Sequence, residues 1–177
     1  MAEEKTTQWK EYAPVLAKYD VRAKQKFIYS STHLKEIVGA SWLIRDCFYD
    51  FLRPAAQCVK VDLQTGKVEI EKLKNGKYKE ISNGIFGFVN PEEKSSAREK
   101  IEPFTEKGVV KHIREGYIGE IVYEGGGNFL VVYYNEKVYK EVNKIFYREV
   151  LEKTGTMRVL SSCVEVNNES DKYFINS

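Results

Sequence analysis

Histidine is nearly missing from this chain, and its three cysteines form no CxxC pair. A zinc centre needs a closely spaced set of such ligands, so His33, His112, Cys47, Cys58 and Cys163 argue against one. Three thiols cannot all pair with one another, which points to a reduced, cytoplasmic setting. Charge of one sign is also scarce: 28 Lys and Arg against 26 Asp and Glu leave a formal net charge of +2. Any nucleic-acid contact must then rest on a local patch and not on the global field. No apolar run approaches the length of a membrane span, so no membrane partner is expected, and the opening Met1-Ala2-Glu3-Glu4-Lys5 lacks the apolar stretch of a signal peptide.

What is present fits one globular domain, or a domain with a sizeable insertion. Hydrophobic residues make up 42% and charged residues 31% of 177 residues, enough to bury a core without disulfides or metal. Tyrosine, at 12 residues, is abundant. Its rings can stack on bases, but they also pack at core edges, so the count alone decides nothing.

Residues 1–20 read as a polar N-terminal arm with scattered Trp9, Tyr12, Val15, Leu16 and Tyr19. A strand is expected over Val21–Ser30, where Arg22, Lys24 and Lys26 alternate with Val21, Ala23, Gln25 and Phe27. Its basic face is either a solvated edge or a phosphate-contacting stripe. Ser30-Ser31-Thr32 offers an N-cap, and Leu34, Ile37, Val38, Ser41, Ile44, Phe48, Phe51 and Leu52 are spaced for one apolar helix face, with Pro54 near its end. Gly39 inside that helix costs about 1 kcal/mol relative to alanine. Either close packing on the sheet or room for a ligand would compensate.

From 59 to 116 the pattern changes to that of an insertion. Alternation in Val59–Leu63, Lys67–Glu71 and Lys77–Ile81, around turns at Gln64-Thr65-Gly66 and Asn75-Gly76, predicts a small antiparallel meander. A charged surface helix is expected within Lys94–Lys107. Two strand-like runs, Tyr117–Tyr123 and Phe129–Tyr134, then flank Glu124-Gly125-Gly126-Gly127-Asn128 and predict a β-hairpin with a tight glycine turn. The glycines either only turn the chain or leave bare amides that can approach a phosphate or a base. A helix over Glu136–Thr154, stopped by Gly155, and a strand over Thr156–Val166 close the domain, which spans 21–166. The polar tail 167–177 reads as a linker.

With the insertion set aside, the order is βαββαβ, a ferredoxin-like α+β fold with an antiparallel sheet and both helices on one face. That fold names no function. The run Phe27-Ile28-Tyr29-Ser30-Ser31-Thr32-His33-Leu34-Lys35-Glu36-Ile37-Val38-Gly39-Ala40-Ser41-Trp42-Leu43-Ile44 resembles the first strand and helix of the palm domains in the CRISPR type III large-subunit polymerase/cyclase family. Ile121–Leu130 resembles the hairpin of the same palms, and the two matches cover about half the chain. Active palms carry Gly-Gly-Asp-Asp at the hairpin turn, where the carboxylates hold divalent metal on a triphosphate. Here no aspartate stands among Gly126, Gly127 and Asn128, and none lies between Val21 and Ser31.

The resemblance therefore implies a catalytically degenerate palm, with no catalytic residue and no metal ligand assigned. Its expected nucleotide contacts are the amides of Gly125, Gly126 and Gly127, the hydroxyls of Ser30, Ser31 and Ser41, and Gly39, Glu124 and Asn128 beside them. Magnesium with a nucleoside triphosphate is the cofactor in question. The partners implied are a nucleotide or cyclic oligonucleotide, or another palm domain, including a homodimer. Two other readings stay open. One is an active cyclase or polymerase with an atypical metal site around Glu124. The other is a single-stranded RNA-binding module, in which Phe129, Val131 and Tyr133 share one strand face. A purely structural partner-binding domain is a further alternative.

Overall fold

A computed structural model describes residues 12–87 and 115–166. The first strand, β1, runs Val15–Arg22, with Val15, Ala17, Tyr19 and Val21 buried and Lys18 and Arg22 exposed. It therefore begins inside the expected arm, and the strand expected over Val21–Ser30 is corrected. Ala23 takes a left-handed φ of 51° and ends the strand, after which Lys24–Ile28 coil into a short helix, α1. The alternation of Val21 to Phe27 was genuine but short. It lost to the longer alternation upstream, which two neighbouring strands can pair.

Helix α2 spans Leu34–Cys47. Its N-cap is His33, with no side-chain cap, and the expected Ser-Ser-Thr cap is replaced by a local turn in which the His33 amide donates to Ser31 Oγ at 3.0 Å. The helix passes through a π-helical turn, Phe48–Leu52, into α3, Arg53–Gln57. Pro54 falls in the first turn of α3, where a missing amide hydrogen is least costly. Strands β2 (Val59–Val61) and β3 (Val68–Ile70) form a two-stranded sheet. The third meander strand is reduced to a single bridge between Lys72 and Tyr78. The region 59–87, read from sequence as part of an insertion, contributes to the main core, in which Val59, Val61 and Ile85 are buried. The helix expected within Lys94–Lys107 lies outside the described residues.

The remaining elements are β4 (Gly84–Phe86), β5 (Tyr117–Gly125), β6 (Asn128–Tyr133), α4 (Glu136–Thr154) and β7 (Arg158–Glu165). The main sheet has the order β4-β5-β6-β1-β7. Its four long strands each run antiparallel to their neighbours in the ferredoxin-like order, and β4 adds a short parallel strand outside β5. Helix α4 matches its expected limits. Asn135 caps it by accepting from the Val138 amide at 3.0 Å, and Gly155, at φ 66°, stops it.

Both long helices cover one face of the sheet. Phe48, in the π-helical turn that follows α2, stacks on Phe129 of β6 with ring centroids 3.7 Å apart and lies 6.2 Å from Phe146 of α4. A polar chain runs through this core. The hydroxyls of Tyr19 and Tyr133 meet at 2.8 Å, Tyr19 donates to Asn143 Oδ1 at 2.8 Å, and Asn143 Nδ2 donates to Ser161 Oγ at 3.1 Å. Tyr147 donates to the same Ser161 oxygen at 2.7 Å, and the Tyr139 hydroxyl lies 2.8 Å from it. The chain ties β1, β6, α4 and β7 together. Among the described residues, no helix is long and apolar enough to cross a membrane.

Candidate functional site

Strands β5 and β6 close at Gly125 opposite Asn128, leaving Gly126 and Gly127 as a two-residue turn. Both have left-handed backbone, φ 56° and 77°, the pattern whose twist matches a hairpin and which other residues enter only with strain. The turn is anchored to the end of β1. The Val21 amide donates to the Gly127 carbonyl at 2.9 Å, and Lys24 Nζ donates to the Gly126 carbonyl at 2.6 Å. On one side the turn is closed: a Cβ on Gly127 would stand 3.0 Å from Ile44 of α2 and 3.1 Å from Lys24 Cε. Toward Gly126 it is open, since a Cβ there would meet nothing within 4 Å.

Glu124 does not stand free beside the glycines. A bulge between Ile121 and Tyr123 sets Glu124 opposite Phe129, on the helix-covered side, and the Tyr49 hydroxyl donates to its carboxylate. Asn128 lies across from Asp20 of β1, at the turn end of the sheet. Asp20 is paired with Arg22 at 3.1 Å and Lys24 at 3.6 Å. Sequence reasoning missed this carboxylate because it began the strand at Val21. The signal that would have found it is the alternation of Val15, Ala17, Tyr19 and Val21, which places Asp20 one residue before the strand's last inward side chain.

The serines are occupied locally. Ser30 Oγ donates to the Phe27 carbonyl at 2.9 Å, Ser41 Oγ donates to the Ile37 carbonyl at 3.1 Å, and Ser31 Oγ accepts from His33. Gly39 is not a close-packing point, for a Cβ there would meet nothing within 4 Å. The structure thus brings Gly125, Gly126, Gly127 and Asn128 together with Lys24, Asp20 and Arg22. It gives Ser30, Ser31 and Ser41 no hydrogen bond to that group.

Chemically, the assembly offers a cation and an open glycine backbone beside one ion-paired carboxylate. It could hold an anionic group loosely against Lys24 and the turn. It is poorly furnished for two-metal chemistry, and among the described residues no group of three His, Cys, Asp or Glu is placed to hold a metal ion. A separate cleft of about 440 Å³ lies between the β2–β3 sheet and β5, lined by Lys60, Asp62, Ser82 and Tyr117. It shares no residue with the hairpin turn. In comparisons with known proteins, no family model matches the chain, and no curated protein matches it.

Proposed function

We propose that this chain is a catalytically inactive, palm-like domain of a CRISPR type III-related antiviral defence protein. In this reading it works in the cytoplasm, binds a nucleotide or cyclic oligonucleotide at its glycine hairpin, and pairs with another palm. The observation that carries the reading is the Gly126-Gly127 turn, open on its outer side and fixed by Val21 to the end of β1 and by Lys24 to the start of α1. A phosphate approaching Gly126 would meet bare backbone with no side chain in its way, and Lys24 would add its charge from the Gly127 side of the turn. The carboxylate content supports binding over turnover. Asp20 is shared between two cations, and Glu124 is turned toward Tyr49.

The alternative of an active enzyme built around Glu124 draws less support for that last reason. RNA stacking on the face of Phe129, Val131 and Tyr133 draws less as well, because these residues are buried under the helices. The test is calorimetric titration of ATP, GTP and cyclic oligonucleotides, with and without magnesium, followed by chromatography of the mixture. Binding without product is expected, and Lys24→Ala should weaken it by about tenfold. Product formation would overturn the inactive assignment. Absence of both binding and product would overturn the nucleotide assignment.

A further inference from the structure

Strand β7 ends the main sheet, and among the described residues no strand pairs with its outer edge. Protein edges are ordinarily blunted by brevity, bulges, proline or a central lysine. The opposite edge, β4, has three residues. β7 has eight, pairs with β1 without a register shift, and carries charge only at its two ends, Arg158 and Glu165. On its open face Leu160 and Val164 are 56% and 63% exposed. Such an edge is a template for another strand.

We propose that β7 pairs antiparallel with β7 of a second copy across a two-fold axis at Ser162, joining two sheets into one. The register follows from geometry. A two-fold axis perpendicular to the sheet keeps each face on its own side, so paired residues must share a face and the axis must pass midway between the two copies of one residue. Centred on Ser162, the pairing sets Leu160 against Val164 of the second copy, twice. Centred on Ser161, it would set Val164 against Arg158 and leave Leu160 against Ser162. Only the first extends a row already present: Val132 lies beside Leu16, and Leu16 beside Val164. Leu160 of the second copy continues this row across the junction. The arrangement closes at two copies, because each β7 has only one free edge.

The contact deepens the pairing part of the proposed function and is independent of nucleotide binding, since no residue of the hairpin turn takes part. Sedimentation velocity of the full chain over a concentration series should show a monomer–dimer equilibrium. Leu160→Lys and Val164→Glu should each raise the dimer dissociation constant by roughly thirtyfold, because each change acts twice. The double variant should restore the dimer, since only the Ser162 register brings the two new charges face to face. Circular dichroism should stay unchanged in the single variants, both sites being exposed. In the unmodified chain, β7 amides should exchange hydrogen more slowly as concentration rises. A monomer at every concentration, a dimer indifferent to both single changes, a double variant that is not restored, or concentration-independent exchange would each overturn the proposal. Nucleotide titration of the Leu160→Lys variant should match that of the unmodified chain, which separates failure of the contact from failure of the site.

Discussion

Removing one oxygen at Tyr19 tests the energetics of the buried polar chain. Tyr19 is fully buried, and its hydroxyl joins Tyr133 on β6 to Asn143 on α4. Tyr19→Phe keeps the ring against Phe48 and Phe146, with which it makes edge contacts at 6.0 and 5.7 Å, so packing should be preserved. Two hydrogen bonds are lost, each with a net value of about 1 kcal/mol, and Asn143 Oδ1 loses its donor, adding about 1 kcal/mol or more. The sum is about 3 kcal/mol, a large part of the roughly 5–15 kcal/mol that holds a domain folded. For a chain of this size the midpoint of thermal unfolding should fall by roughly 10 °C. Tyr139→Phe is the internal control. Ser161 keeps its bonds to Tyr147 and Asn143, so the loss should be about 1 kcal/mol or less. Urea denaturation of both variants, with Tyr19→Phe combined with Asn143→Leu to close a double-mutant cycle, measures the coupling directly. A Tyr19→Phe cost no larger than that of Tyr139→Phe, or coupling indistinguishable from zero, would refute the claim that Tyr19 is the hub.

The two turn glycines should respond differently to alanine. Gly126→Ala should cost about 1 kcal/mol from left-handed backbone alone, and Gly127→Ala about 2–3 kcal/mol because its Cβ also crowds Ile44 and Lys24. Equal costs by urea denaturation would mean that α2 does not close on the turn. Stability should also fall in alkali. Burial pushes the Cys47 thiol from its ordinary 9.0 up to about 12, and raises Tyr19 and Tyr133 above their ordinary 10.0. The unfolded chain therefore ionises first. The stability these groups contribute is whole below pH 9.0 and is lost as pH rises toward their folded values. Denaturation midpoints measured across this range should decline, and Cys47→Ala should make the decline shallower, with Cys58 and Cys163, whose thiols burial also pushes up from 9.0, keeping the rest of its early part. A flat profile would sink the assignment.

The two elements read most closely from sequence are those whose signals are local. α4 has a capping asparagine, a helical apolar period and a terminal glycine within one stretch, and the hairpin has its turn chemistry between two strand-like runs. The end of α2 was also legible in outline, because Phe48, Phe51 and Leu52 continue the apolar face through the π-helical turn. β4 was not. Its three residues gain strand character only by lying beside β5, which is distant in sequence. The partnerships of Tyr19 with Tyr133 and Asn143 span more than a hundred positions and leave no periodic trace.

The first strand shows how such a local ambiguity reaches the site. Two overlapping stretches alternate, one ending near Arg22 and one beginning at Val21, and propensity alone does not choose between them. Pairing does: Val15 to Asp20 lie against β6, and Val15 to Arg22 lie against β7, so the upstream stretch is held from both sides. Lys24 is thereby released from the strand into α1, where its side chain reaches back to the Gly126 carbonyl. Had the strand continued to Ser30, Lys24 would have been one member of a basic stripe along the sheet. Ending it at Arg22 converts that stripe into an ion-paired cluster, Asp20 with Arg22 and Lys24, at the mouth of the turn. The site's charge is therefore set by where β1 stops, and Lys24→Ala weakens nucleotide binding in this reading by opening the turn's anchor as well as by removing a cation.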